Sequence, residues 1–152
     1  MVEHESFGAL DILQIQNLVY KYCWHVDHGD FDAMARMFAD AEVVLPAGTY
    51  FRDPQALAAV FFDYVQLYSD GTPRTRHVTT NLMLEPEGPT RASGNSAVTV
   101  FQQTDKLALQ PIIGTRNIDR YEKVEGQWRF AYRRIEMDLF GDLSAHMKRT
   151  VA

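Results

Sequence analysis

The chain has 152 residues, 46% of them hydrophobic and 23% charged, which is enough for one domain with a sizeable core and too little for a second. Fifteen Lys and Arg against twenty Asp and Glu leave a formal charge of -5, so the cationic excess that nucleic-acid binding requires is missing. Its single cysteine, Cys23, excludes an internal disulfide and suits a reducing compartment.

The start, Met1-Val2-Glu3-His4-Glu5, is acidic, and the longest apolar run, Ala56 to Phe62, is far shorter than the roughly 20 residues of a membrane span. A soluble, cytoplasmic protein is expected. From Leu10 to His28, Ile12, Ile15, Val19, Tyr22 and Val26 form one stripe, which predicts an amphipathic helix ending before Gly29. Asp30 is the expected N-cap of a short second helix through Phe31, Met34, Met37 and Phe38. Glu42 to Leu45 and Thr49 to Phe51 flank Pro46-Ala47-Gly48 and predict a short hairpin. Asp53-Pro54 supplies a cap and a first-turn proline for a third helix carrying Leu57, Val60, Phe61, Tyr64 and Leu67, which Asp70-Gly71-Thr72-Pro73 stops.

Everything after that point reads as strand: Arg76 to Glu85, Arg91 to Thr104, Ile112 to Val124 and Gln127 to Leu139, with Glu125-Gly126 as a tight hairpin turn. Three helices followed by a strand meander imply an α+β domain in which a strongly curved antiparallel sheet wraps the helices and leaves a pocket between the two layers. The question is then which polar side chains point into it.

Asp27 lies at the edge of the buried stripe at the C-terminal end of the first helix, where burial and the helix dipole would both make it a better base. The plain alternative is a solvated helix-end residue. His77 shares a strand face with Thr79 and Asn81; beside a carboxylate it could shuttle protons near neutral pH, and otherwise it is a structural histidine bonded to a carbonyl. Thr115, Asn117, Asp119 and Tyr121 alternate against Arg116, Ile118 and Arg120, so this strand lacks a cleanly apolar side. In the last strand Trp128, Phe130, Tyr132 and Arg134 share a face, which would set Arg134 either over a substrate oxygen or in an ion pair. His25 and His28 are three residues apart but lack the further ligands of a metal site, and no metal is expected. Cys23 reads as a packing residue. Dinucleotide, nucleotide and serine-hydrolase signatures are all missing.

Four stretches together resemble a known family: Tyr20-Lys21-Tyr22-Cys23-Trp24-His25-Val26-Asp27-His28-Gly29-Asp30-Phe31-Asp32, then Met37-Phe38-Ala39-Asp40, then Arg74-Thr75-Arg76-His77, then Tyr121 to Phe130. They look like the SnoaL-like branch of the NTF2-like superfamily, and the resemblance covers Leu10 to Leu143. It implies a cone-shaped α+β barrel, three N-terminal helices packed in a strongly curved, mixed, mostly antiparallel sheet. Residues 1–152 would form the single domain, with 1–8 and 141–152 as flexible or capping ends.

Within the superfamily the enzymes most similar are scytalone dehydratase, bile acid dehydratase and lindane dehydrochlorinase, lyases that work without a cofactor through an aspartate and a histidine. The resemblance places those two roles on Asp27 and His77. Thr115 and Asn117 stand where scytalone dehydratase has a serine and an asparagine, while Tyr22 and Arg134 match a tyrosine and an arginine of the bile acid enzyme. Val26 and Pro46 stand where scytalone dehydratase has tyrosines, and Phe101-Gln102 near its second histidine, so scytalone is not the expected substrate.

The resulting expectation is a cofactor-independent lyase or isomerase acting on a hydrophobic cyclic or polyketide-like molecule. Asp27 and His77 would transfer the proton, Asn117, Arg134 and Tyr22 would stabilise charge on oxygen, and Tyr20, Trp24, Phe61, Phe101 and Thr115 would contact substrate. The alternative is a non-catalytic binder of a hydrophobic ligand or a scaffold resembling a dioxygenase β subunit, in which Asp27 and His77 would not meet. Either reading implies a homodimer or homotrimer, with neither nucleic acid nor membrane as partner.

Overall fold

A computed structural model describes residues 6–149. The order is α1 (Ala9–Asp27), α2 (Phe31–Arg36), β1 (Glu42–Val44), a 3-10 turn (Pro46–Gly48), β2 (Tyr50–Phe51), α3 (Pro54–Tyr64), β3 (Thr75–Pro86), β4 (Arg91–Gln102), β5 (Gln110–Val124) and β6 (Gln127–Phe140). The predicted caps form. Asp30 accepts from the Ala33 N–H at 3.0 Å, and Asp53 accepts from the Gln55 and Ala56 N–H groups ahead of Pro54. Each satisfies donors that a helix start leaves open. The β5–β6 turn places Glu125 and Gly126 both at positive φ, the geometry that matches the twist of a two-residue hairpin.

The strand order is β2-β1-β6-β5-β4-β3, with β1 parallel to β6 and the other pairs antiparallel. This corrects the expected barrel. Closure would need the two edge strands to pair, and β2 and β3 are not bonded to each other. The mixed α+β sheet stays open, and the helices cover one of its faces. Bulges in β3, β5 and β6 supply the local bend and twist.

Ile15, Val19, Tyr22, Cys23 and Val26 of α1 are buried with Phe31, Met34 and Phe38 against Tyr121, Trp128 and Phe130. Ile12, expected in the stripe, is exposed; its neighbour Asp11 is buried instead. The Asp11 carboxylate accepts from the Gly8 N–H, from Trp128 Nε1 at 2.7 Å and pairs with Lys123 at 3.1 Å, which tethers the start of α1 to the β5–β6 hairpin. The Trp128 and Gly8 hydrogen bonds outweigh burial and hold its pKa below the ordinary carboxylate value.

The turn that follows Asp27 is fixed by one glycine. Gly29 has φ +71°, and a Cβ there would run into the Gly71 carbonyl oxygen and the Leu67 side chain. Gly29→Ala is therefore expected to destabilise the fold by about 2 kcal/mol or more, read as a lower urea midpoint. A change below about 0.5 kcal/mol, within the range of ordinary surface substitutions, would contradict this steric account.

Candidate active site

The last residue of α1 meets the first residues of β3. Asp27 Oδ1 accepts from His77 Nδ1 at 2.6 Å and from Thr75 Oγ1 at 2.8 Å, and Oδ2 accepts from the His77 backbone N–H at 2.8 Å. Both Asp27 and His77 side chains are largely buried. Three donors converge on one carboxylate because Thr75 and His77 lie two apart on a strand, and so on the same face. The backbone N–H between them is free to turn inward because β3 is an edge strand.

Burial by itself would raise the Asp27 pKa, but the hydrogen bond and charge of His77, its backbone N–H and the Thr75 hydroxyl outweigh burial and lower it. This corrects the expectation that Asp27 would become the better base. An ionised Asp27 holds the proton on His77 Nδ1, which leaves Nε2 as the bare, basic nitrogen.

Thr79 follows on the same face, with its hydroxyl 3.3 Å from Cys23 Sγ. Burial raises the Cys23 pKa, which disfavours the thiolate and fits a packing role. Asn81, expected beside His77 and Thr79, lies at the β3 bulge with φ +54° and is exposed.

On β5 the expected polar face is the buried one. Thr115, Asn117, Asp119 and Tyr121 all point inward, and Asn117 Oδ1 and the hydroxyl of Ser96, its partner across the ladder, have no protein hydrogen bond. Arg134 points the other way: its side chain is 52% exposed and pairs with Glu136. The cause is a bulge. Tyr121 pairs with Phe130 but Arg120 pairs with Tyr132, so Ala131 is an extra residue that reverses the alternation of β6.

Arg133 takes the inward position and is fully buried. It donates to Asp119 through Nε at 2.8 Å and Nη2 at 2.7 Å, Tyr121 donates to the same carboxylate at 2.9 Å, and the guanidinium lies 4.5 Å from the ring centres of both Tyr22 and Phe130. Burial opposes the Arg133 charge, but Asp119 more than offsets this and its pKa is raised; burial pushes Tyr22 up to about 12. Arg133 Nη1 remains without a partner. Tyr22 is therefore a core residue stacked under an arginine.

The expected substrate-contacting aromatics separate. Trp24 is 64% exposed and stacks on His28, and Tyr20 is also exposed, so both lie on the outer side of α1. Phe61 is half-buried, packed 5.4 Å from Phe31. Phe101 pairs with Arg76 across the β3–β4 ladder, on the face opposite His77, and lines a groove of about 580 Å³ with Arg74, Arg76 and Leu109 that reaches Thr75 and Gln102. Among the described residues no three His, Cys, Asp or Glu side chains gather where a metal ion could sit. His25 faces Asp30, and His28 Nδ1 contacts the Trp24 carbonyl.

One residue lies at this site that no strand or helix pattern signals. His146, in the segment after β6, is 6% exposed, and its Nδ1 has no partner. Burial first, then the charge of His77, lower its pKa to about 4, with Asp27 acting in the opposite sense. A free histidine titrates near 6.5, so the packed segment is at full stability above that pH and loses it as pH falls toward 4, by about 3 kcal/mol in all. Exchange protection of the Gln66 and Lys148 amides, which bond to His146 and Tyr64 carbonyls, is expected to drop over that interval. Protection unchanged down to pH 4 would contradict a neutral, buried His146.

Residues 8–134 match the SnoaL-like domain family. The chain belongs to that family. A Mycobacterium tuberculosis protein of unknown function, solved as an aspartate-to-asparagine variant, is 31% identical over 86% of this chain and 76% of its own, with a TM-score of 0.69. Two further solved structures share the fold. A hexachlorocyclohexane dehydrochlorinase from Novosphingobium barchaimii is 23% identical over 89% of this chain and 91% of its own, with a TM-score of 0.66. A proposed scytalone dehydratase from Novosphingobium aromaticivorans is 20% identical over 88% and 87%, with a TM-score of 0.70. No curated protein matches the sequence. No helix among the described residues is long and apolar enough to cross a membrane.

Proposed function

We propose that this SnoaL-like protein is a small-molecule lyase or isomerase that works by proton transfer at His77. The observation that carries the reading is the clamp on Asp27, in which three donors hold an ionised carboxylate against His77 Nδ1. His77 Nε2 takes a proton from a carbon next to a carbonyl or an activated ring. The C–H electron pair then forms a carbon–carbon double bond as a β-hydroxyl departs, and the imidazolium gives its proton to that hydroxyl to release water. In an isomerase the same proton returns at another carbon.

Charge developing on a carbonyl oxygen needs preorganised donors. Arg133 Nη1, buried and without a partner, is the donor suited to it, replacing the Arg134 expected from sequence, while the unspent atom of the buried Asn117 is Oδ1, an acceptor suited to a substrate hydroxyl. The Thr115 hydroxyl and the half-buried Phe61 remain available for substrate contact on the inner side. Dehydrochlorination and dehydration, the reactions named for two fold neighbours, both remove a proton and a leaving group from adjacent carbons, which supports an elimination here. The binding or scaffold alternative expected Asp27 and His77 to stand apart, and they are 2.6 Å apart.

The test is a panel of cyclic and polycyclic β-hydroxy-ketones assayed for water loss, with Asp27→Asn and His77→Ala as controls. Turnover by the native chain that His77→Ala abolishes and Asp27→Asn cuts by roughly 10²- to 10⁴-fold is expected. Turnover that survives His77→Ala would refute the assignment.

A further inference from the structure

We propose that the C-terminal strap is part of this site and that His146 is a substrate-contacting residue, hydrogen-bonding a hydroxyl of the bound molecule through Nδ1. The inference rests on the reading of Asp27 and His77 as the reactive pair and adds a second point of recognition to it.

The strap is held on both sides of His146. The Ala145 carbonyl accepts from Tyr68 Oη at 2.6 Å and from Gln102 Nε2 at 3.1 Å. The His146 carbonyl accepts from the Gln66 N–H at 2.8 Å, Met147 bridges to Val65, and the Lys148 N–H donates to the Tyr64 carbonyl at 2.8 Å. Lys148 Nζ reaches the Phe62 carbonyl, and Arg149 pairs with Asp63. These bonds fix the backbone at His146, so the ring is placed by the fold.

The same bonds bring it to the dyad. Gln102 stands opposite Thr75 in the β3–β4 register, and Thr75 is the residue that donates to Asp27. Gln102 also donates to the Pro73 carbonyl, which closes this corner around the start of β3. Two polar atoms in the corner are buried without a partner, His146 Nδ1 and Gln102 Oε1. A structural histidine spends its second nitrogen on a carbonyl or carboxylate, and leaving such an atom unpaired in the interior costs about 1–3 kcal/mol. His146 has no such partner. The charges of His77 and Asp27 act on it, and a neutral ring beside a working base is suited to holding a hydroxyl rather than to moving the proton. The complementary ligand has an acidic carbon or ring facing His77 and a hydroxyl a short distance away.

The experiment uses the full chain with 15N-labelled histidine and two probes, 2-naphthol and the hydroxyl-free naphthalene. The expected result is that 2-naphthol shifts the ring nitrogens of both His77 and His146. His146→Phe is expected to weaken 2-naphthol binding about tenfold or more without changing naphthalene binding, and His146→Gln, whose amide can still bond a hydroxyl, to recover most of the loss. If 2-naphthol shifts His77 while His146 is unmoved and His146→Phe binds it equally well, this inference fails and the dyad reading stands. If neither ring responds, the dyad reading fails and takes this inference with it.

Discussion

Asp27→Asn is expected to slow proton abstraction by roughly 10²- to 10⁴-fold while leaving the chain folded. The carboxylate accepts three hydrogen bonds from three donors, and an asparagine has only one oxygen to offer them. Its amide must then face either the His77 backbone N–H or His77 Nδ1. The second arrangement turns Nδ1 into an acceptor and moves the ring proton to Nε2, the nitrogen that has to be bare. The first forfeits a buried hydrogen bond and loosens the ring. Either way the base is in the wrong state or orientation, the effect known from other oriented histidines. The decisive sign is a fall in kcat with little change in KM. A drop in KM-controlled binding alone would mean that Asp27 shapes the pocket without acting on His77.

The largest effect on stability is expected at Arg133. Arg133 and Asp119 are both fully buried and joined by two hydrogen bonds, so Arg133→Met leaves a buried carboxylate supported only by the Tyr121 hydroxyl. Removing one member of such a pair costs about 3–5 kcal/mol, which for a domain of this size lowers the melting temperature by roughly 10 °C. The loss of the two ring contacts with Tyr22 and Phe130 adds to it. Because the penalty comes mainly from the stranded charge, the double variant Arg133→Met with Asp119→Leu is expected to recover a substantial part of the stability. Calorimetry of the native chain, the two single variants and the double variant checks this. A double variant as unstable as the sum of the two singles would show that the pair is not coupled.

Much of this site could be read in the sequence. Capping residues Asp30 and Asp53 set the helix starts correctly because an N-cap is a local device. Alternation over His77 and Thr79 and over Thr115 to Tyr121 puts the right side chains inward. What the pattern misses is where alternation breaks. One extra residue at Ala131 moves the inward cation from Arg134 to Arg133, and the bulge in β3 turns Asn81 out; a bulge has no fixed signature in a run of strand-forming residues. Gly94 makes room for Leu84 and Tyr121, and the β3 irregularity, between Thr80 and Met83, falls opposite Ser96.

Thr75 was within reach, since it shares the face of His77 two residues away. Trp24 and Tyr20, expected to contact substrate, occupy the side of α1 away from Val19, Cys23 and Val26. His146 was beyond any periodicity argument. Its position depends on contacts with Tyr64 to Gln66 and with Gln102, partners far away in the chain. The open sheet was likewise invisible, because strand order depends on which edges pair and not on what each strand contains.

Isotope exchange tests the proposed role of His77 Nε2 as a base aimed at a carbon acid without knowledge of the natural substrate. Deuterium incorporation into the α-carbons of 2-tetralone would be followed in deuterium oxide with the native chain and with His77→Gln. Saturable exchange above the buffer rate is expected with the native chain, and none above it with the variant. Equal exchange rates for the two proteins would contradict it.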